Sequence, residues 1–182
     1  MRTFILLAVV VGCSSSTAVA ASPGDIPVHD SKEDASITEG ETVLQVDPDT
    51  AFKAVSDYQR WRVIFPEIRE VMVTQQRGVD ARVTFVHPDG NRDNLHFHNQ
   101  PAARMVWFED TGGRATVWAE IMFLPGDVPG TTRVHTRLFA DVHGIASLVV
   151  SDERVRNMRE QRVRSDLTHL RAYFGQNVAA EH

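Results

Sequence analysis

The chain has 182 residues, a single cysteine and a formal net charge of −5. This length suits one domain of ordinary size, and a composition of 42% hydrophobic and 24% charged residues is typical of a folded globular protein. One cysteine excludes a disulfide framework and a cysteine-based zinc site, because both need several thiols. The mildly acidic balance disfavours nucleic acid as a partner, since neutralising phosphates requires clustered positive charge.

The N-terminus is typical of an export signal, which we place over residues 1–20. Residues 4–11 form an unbroken apolar run that is shorter than the roughly 20 residues of a membrane-spanning helix and suits the hydrophobic region of a secretory signal. Two processing sites compete: Cys13, which ends a sequence similar to a bacterial lipobox, and Ala20, which ends a small-x-small cleavage site. Both predict an exported, periplasmic protein. Lipidation of Cys13 would add a membrane surface as partner, with the outer membrane as the expected anchor.

The domain boundaries follow from composition. Residues 21–41 hold small, polar and acidic residues with little apolar periodicity, which predicts a disordered tether. The folded domain is predicted over residues 42–175, and a short disordered tail over residues 176–182.

The domain begins with a strand and two short helices. Residues 42–46 have the composition of a strand. Asp47 and Pro48 suit the N-cap and the first turn of a helix, and Asp57 suits the N-cap of a second helix. Pro66 ends that second helix.

Six strands with short turns between them come next, which indicates an antiparallel meander. They are expected over residues 71–73, 82–86, 94–98, 105–108, 115–124 and 132–142. From Ser151 onward the apolar residues recur every three to five positions, which predicts a long amphipathic helix that ends at Gly175. The arginines of this helix, Arg159 among them, are assigned to its solvent face.

These elements predict an α+β fold in which a curved sheet of seven antiparallel strands wraps around the final helix. A gap that side chains do not fill between sheet and helix would be a ligand cavity. Alternation along each strand and the helical period select its expected lining: Trp61, Phe65, Val83, Phe85, Leu95, Phe97, Met105, Trp107, Val117, Ala119, Ile121, Phe123, Thr136, Leu138, Met158 and Leu167.

Polar residues give no comparable signal for catalysis. His96 and His98 share the outward face of one strand, and spacing places no third ligand beside them, so no metal site is predicted. The acidic candidates Glu109, Glu120 and Asp141 form no pair that acid–base chemistry would need. Since nucleophile and phosphate-loop motifs are also missing from the sequence, we assign no catalytic residue and no cofactor.

Several short motifs resemble one superfamily. Residues 56–61 contain an aspartate, an aromatic residue and a tryptophan, and residues 65–68 read Phe-Pro-Glu-Ile. Together with residues 123–125, 130–134 and 166–174, they resemble the START-like superfamily, also called SRPBCC, and its polyketide cyclase and coenzyme-Q-binding type. The resemblance implies the helix-grip fold, with two short helices after the first strand. Arg62 departs from it, since a proline often stands there.

The resemblance also implies a ligand class. Members bind lipids, isoprenoid quinones, sterols or aromatic polyketides in the cavity, and a few are enzymes. We therefore expect an exported binding or carrier protein for an apolar small molecule, more readily than an enzyme. The alternatives are a cyclase- or hydratase-type enzyme on an aromatic or polyketide substrate, and an interaction module without a ligand.

Overall fold

One antiparallel sheet and a long C-terminal helix dominate the structure, a computed structural model that describes residues 26–112, 115–142 and 151–180. The eight strands are β1 (Val28–Asp30), β2 (Ile37–Leu44), β3 (Glu70–Arg77), β4 (Asp80–Val86), β5 (Arg92–Gln100), β6 (Met105–Asp110), β7 (Ala115–Pro125) and β8 (Thr132–Val142). Their order in the sheet is β1-β2-β8-β7-β6-β5-β4-β3. The helices are α1 (Pro48–Ser56), α2 (Trp61–Ile64) and α3 (Asp152–Ala180). Within the described residues, no helix is both long and apolar enough to cross a membrane.

This architecture confirms the predicted fold class, but the sheet has eight strands instead of seven. The additional strand β1 and most of β2 lie within residues 21–41, where the sequence analysis expected a tether. The inner row of β2 is Thr38, Gly40, Thr42 and Leu44, because these residues pair with the inward residues of β8. Three of the four are small or polar, so the strand lacks the apolar alternation by which a strand is recognised.

The ends of the chain also differ from expectation or lie outside the description. Helix α3 continues to Ala180, through the position of Gly175 where a C-cap was expected and into the expected tail. Gly175 does not have the positive φ that a glycine C-cap adopts. The expected signal sequence and Cys13 lie outside the described residues.

Helix α1 begins as its sequence predicts. The Asp47 carboxylate accepts a hydrogen bond from the Thr50 amide at 2.9 Å, and Pro48 occupies the first turn. Asp57 caps the following turn through the Gln59 amide at 3.2 Å. These caps satisfy amides that have no partner within the helix. Helix α1 contacts β6, β7 and β8, and α2 contacts β3 and α3.

Helix α3 packs closely on β2 and β8. At Gly40, α3 and β2 lie so close together that an added Cβ would be 2.6 Å from Val163 Cγ1 and 2.9 Å from Leu167 Cδ1. Arg159 lies on this packed face, not on the solvent face to which the sequence analysis assigned it, and is only 6% exposed. Its guanidinium donates to Thr38 Oγ1 at 3.1 Å and to a backbone carbonyl at 3.0 Å. Hydrogen bonds of this kind make burial of an arginine tolerable.

Candidate functional site

The inner face of the sheet, which α1, α2 and α3 cover, holds most of the predicted lining residues. Each of them is buried or packs against the apolar core. On the strands they are Val83, Phe85, Leu95, Phe97, Val117, Ala119, Ile121, Phe123, Thr136 and Leu138, and on the helical segments Trp61, Phe65 and Leu167. The prediction that these side chains face inward is confirmed, whereas their contact with a ligand stays a prediction.

Strand β6 is turned over relative to the prediction. Met105 and Trp107 pair with Met122 and Glu120 on the outer face, while Val106 pairs with the buried Ile121. The prediction that Met105 and Trp107 point inward is therefore wrong. Its cause is that β6 carries apolar residues on both faces for its first four positions, so alternation alone did not identify the inner row.

Met158 on α3 is half-buried and lies outside the apolar core. It occupies the side of the helix that also carries Arg162 and Asp166, since residues four apart share a helix face. Arg162 contacts Glu67, in the segment after α2, and also contacts Asp166. Met158 as a ligand contact therefore stays a prediction.

Aromatic side chains fill the interior beneath α2. The Trp61 ring packs 4.9 Å from Phe65, 5.0 Å from Phe85, 5.3 Å from Phe97 and 5.7 Å from Phe108, between ring centroids. The indole Nε1–H also donates to a backbone carbonyl at 2.7 Å, which satisfies its one polar group. This half of the interior is therefore a packed core.

The inner face is less covered at one end of the sheet. Leu95, Phe108, Val117 and Ala140 lie on four neighbouring strands, β5 to β8, and all four are only partly buried. We call these four residues the open end. Their side chains point to the face on which α3 packs, because Val117 pairs with Ala140 and Phe108 with the buried Ala119. Within the part of the chain that the structure describes, the open end is an apolar inner surface that is only partly covered.

A group of ionisable side chains, which we call the polar cluster, lies where the segment after α2 meets α3 and the β4–β5 turn. Its members are Glu67, His87, Asp93, Arg162, Asp166 and His169. Arg162 joins the carboxylates of Glu67, at 3.2 Å, and of Asp166, at 3.0 Å. His169 Nδ1 lies 3.6 Å from Glu67 Oε2, and the His169 and Phe65 rings form a T-shaped pair with centroids 6.2 Å apart.

His87 connects this cluster to the sheet. Its Nδ1 lies 3.0 Å from the carbonyl oxygen of Glu67, and its Nε2 lies 2.7 Å from a carboxylate oxygen of Asp93. A carbonyl oxygen can only accept, so Nδ1 donates to it. Asp93 pairs with Phe85 on the inner face of the sheet. The cluster therefore reaches the inner face two residues before Leu95.

The electrostatics of the polar cluster centre on Asp166. Burial raises the pKa of Asp166, and the neighbouring charge of Glu67 adds to this rise, while Arg162 opposes it. Asp166 in turn raises the pKa of Arg162. Asp166 Oδ1 is buried without a hydrogen-bond partner among the described residues, whereas the buried Glu67 Oε2 and His169 Nδ1 face each other at 3.6 Å. A buried atom without a partner is costly unless one supplies the missing bond.

His96 and His98 lie on the outer face, as the sequence predicted, and there they belong to a charge network. Asp80 lies 2.8 Å from His98 and 3.7 Å from His96, and Glu109 lies 3.4 Å from His96. Among the described residues, no group of three or more such side chains is arranged to hold a metal ion. Glu120 also lies on this face, 3.2 Å from Arg137.

Two surface grooves flank β1. One, of about 370 Å³, lies beside Ile26 and Arg133, and the other, of about 430 Å³, lies beside His29 and His135. Neither groove is lined by a residue of the predicted ligand cavity. The grooves therefore do not correspond to the predicted site.

No protein-family model and no curated protein matches the sequence. Solved structures do match the fold. The Zhui aromatase/cyclase from Streptomyces sp. R1128 superposes with a TM-score of 0.66 at 14% identity, over 78% of this chain and 94% of its own. A START superfamily protein from Mycobacterium smegmatis gives a TM-score of 0.63 at 14% identity, over 77% of this chain and 97% of its own. The chain has the START-like, helix-grip fold. Ara h 8.0201 shares this fold, with a TM-score of 0.57 at 16% identity, over 77% of this chain and 97% of its own.

Within this helix-grip fold, the polar cluster is the feature that the sequence analysis missed. Arg162, Asp166 and His169 lie at positions i, i+4 and i+7 of α3, a spacing that places them on one helix face. That spacing could have indicated a polar stripe beside the apolar one. Glu67 and Asp93 come from distant segments, and spacing along the chain does not link them to α3.

Proposed function

We propose that the protein binds an apolar small molecule, a lipid, an isoprenoid or an aromatic compound, between the sheet and α3 at the open end. The observation that supports this most directly is the partial exposure of Leu95, Phe108 and Val117 on the inner face. A ligand that removes apolar side chains from water binds more tightly, because burial of apolar surface is favourable by about 25 cal/mol per Å². The fold shared with an aromatase/cyclase and a START superfamily protein agrees with such a role.

The extent of packing favours this end as the binding site over the interior beneath α2. Trp61, Phe65 and Phe97 are fully buried against one another, so a ligand there would have to displace packed rings. At the open end, a ligand would add apolar contact without removing any. A ligand that binds at the open end therefore leaves the packed core intact.

Binding is tested with the uncharged fluorescent probe N-phenyl-1-naphthylamine and purified full-length protein. We expect saturable binding, which Val117→Ala weakens by up to about 15-fold, since two buried carbon atoms contribute about 0.8 kcal/mol each. The matched control is Val43→Ala, because Val43 lies on the outer face and is 49% exposed. Equal affinities for both variants would place the probe elsewhere.

A second experiment asks for the natural ligand. Native mass spectrometry of protein isolated from its own cell envelope, followed by lipid extraction, should recover an apolar compound. Absence of any such compound, together with no saturable probe binding, would overturn the binding role and favour an interaction module without a ligand.

We also propose that the protein is exported and that Cys13 is lipidated, which would hold the ligand site near a membrane surface. The support is the apolar run over residues 4–11 followed by the lipobox-like sequence. Metabolic labelling with a palmitate analogue should mark the wild-type protein, and Cys13→Ser should remain unlabelled and leave the membrane fraction. An unlabelled wild-type protein with a mature N-terminus at Ala21 would instead establish cleavage after Ala20.

The polar cluster favours one alternative, a cyclase- or hydratase-type enzyme. A carboxyl group with a raised pKa, such as Asp166, can deliver a proton to a substrate. The test returns the compound recovered from the envelope to the purified protein and follows its mass. Gain or loss of water with the wild-type protein, but not with Asp166→Asn, would support the enzyme; an unchanged compound would support binding alone.

A further inference from the structure

Strand β3 forms one edge of the sheet. It is the last strand in the sheet order, and β4 is its one neighbour among the strands that the structure describes. Residues 71–76, which make up most of β3, contain no charge, no proline and no glycine, and segments of this composition pair readily with further strands. The Gln59 side chain reaches the carbonyl oxygen of Val71 only at 3.5 Å, the limit for a hydrogen bond. The edge is therefore lightly covered.

Apolar side chains are exposed beside this edge. Met72 is 39% exposed, Val73 is 36% exposed, and Val79, in the turn to β4, is 37% exposed. These three account for half of the large apolar side chains that are exposed in the described part of the chain. Their concentration at one open strand edge indicates a surface that associates with another chain.

The charges at the ends of β3 are complementary to each other. Glu70 begins the strand and Arg77 ends it, and both side chains are exposed. Neither has an ion-pair partner within the described residues. In an antiparallel pair of two copies of β3, the first residue of one strand lies opposite the last residue of the other. Glu70 of each copy then faces Arg77 of the other copy, and the two-fold axis repeats this attraction.

A bulge in β3 favours the same register. Regular alternation would place Glu70 and Arg77, seven positions apart, on opposite faces. The register with β4 shifts at Thr74, so Glu70 pairs with Val86 and Arg77 with Asp80, two residues of the outer face of β4. Both charged side chains therefore lie on the outer face, where they can meet across an antiparallel pair. The bulges of the two copies face each other in this register, whereas a shift by one residue would set outer side chains against inner ones.

We propose that two copies of the chain associate as an antiparallel dimer in which their β3 strands pair and join the two sheets into one. A second copy fits this edge because the charge pairing and the matching bulges are both properties of β3 against itself. One pair of short strands is a small interface, so the dimer is weak and forms with rising concentration. The open end lies on strands β5 to β8, so the dimer does not depend on the proposed ligand site.

Sedimentation velocity of the full-length protein over a concentration series measures the association. We expect a monomer that converts to a dimer, without larger species, because two-fold pairing of β3 uses up the edge in each copy. Glu70→Arg should weaken the dimer about tenfold, since it turns two cross-strand attractions into repulsions. Arg77→Glu should weaken it by a similar factor for the same reason.

The combined variant Glu70→Arg with Arg77→Glu is the decisive one, because it restores opposite charges across the interface and should recover the dimer. The two residues lie about 20 Å apart along one strand, so this recovery cannot arise within a single copy. The matched control is Asp127→Arg, which makes the same change of charge in the exposed loop before β8 and should leave the association unchanged. Circular dichroism verifies that all four variants fold.

Hydrogen–deuterium exchange of the wild-type protein locates the interface without any variant. Amides of β3 should exchange more slowly at high protein concentration, while those of β1, the opposite edge, should not change. A monomer at every concentration would overturn the proposal, as would protection of β1 instead of β3. A dimer that Glu70→Arg leaves intact would exclude the β3 interface, and a combined variant as weak as the single ones would exclude the register.

Discussion

The packing of α3 on β2 can be tested at Gly40. An added Cβ would lie 2.6 Å from Val163 Cγ1 and 2.9 Å from Leu167 Cδ1, about 1 Å closer than carbon atoms pack at their optimum. Both side chains are fully buried, and at these distances one of them has to shift to admit the new methyl group. Overpacking of this kind costs about 1–3 kcal/mol, and removal of a flexible glycine from a strand offsets about 0.5–1 kcal/mol. We therefore expect Gly40→Ala to lower the free energy of unfolding by about 1–2 kcal/mol.

Urea denaturation followed by circular dichroism measures this change. The matched control is Gly175→Ala on α3, where an added Cβ meets nothing within 4 Å. The control should raise the free energy of unfolding by up to about 1 kcal/mol, because alanine favours a helix over glycine. A Gly40→Ala variant at least as stable as the wild type would refute the close approach of α3 to β2.

Three further variants test caps and buried charges. Asp47→Ala should cost about 1 kcal/mol of stability, because it removes the helix cap. Hydrogen bonds from Thr50 lower the pKa of Asp47. The contribution of Asp47 to the free energy of unfolding is therefore present above its unfolded pKa and is lost as the pH falls through the folded pKa. On acidification, the variant should lose less stability than the wild type. Burial raises the pKa of Asp166. Its contribution to the free energy of unfolding is therefore present below the unfolded pKa of 3.8 and is lost as the pH rises through the folded pKa. Asp166→Asn should remove this loss of stability, which is measured as the urea midpoint against pH. Arg159→Met should lower the free energy of unfolding by about 1–3 kcal/mol, because it leaves buried acceptors unpaired. The control is Arg156→Met, at an exposed ion pair. In the same urea experiment it should change the free energy of unfolding by less than about 1 kcal/mol.

The elements that the sequence predicts best are those with a local signal. The cap at Asp47 and the apolar stripe of α3 depend on residues within a few positions of one another, and the structure has both helices where these signals begin. The inward row of β8 was also predictable, because Arg133, His135 and Arg137 alternate with its inward residues. Local patterns of this kind depend little on the rest of the fold.

The errors come from positions where contacts distant in sequence decide the outcome. Met105 and Trp107 face outward because the neighbouring strand fixes the register of β6, and either face of that strand is apolar. Arg159 is buried because Thr38 Oγ1 and the carbonyl oxygen of Ala35, both in the N-terminal part of the domain, accept its hydrogen bonds. Since partners such as these come from other segments, no pattern around Arg159 itself could indicate its burial.

The candidate site divides in the same way. That the apolar inner surface around Val117 exists follows from alternation. The polar cluster does not, because Glu67, Asp93 and Asp166 belong to three segments separated by dozens of residues. Only tertiary structure brings their side chains together.

The pairing of β2 with β8 has a consequence for how the chain folds. Ile37 of β2 pairs with Phe139 of β8, which lies roughly 100 residues later in the sequence. During synthesis, β2 emerges long before the strand that completes it, and such non-local pairing slows folding. Until β8 is made, β2 and β7 both present unpaired edges, which are templates for association with other chains. A chain that stops short of β8 should therefore aggregate and should not form a smaller version of the same domain.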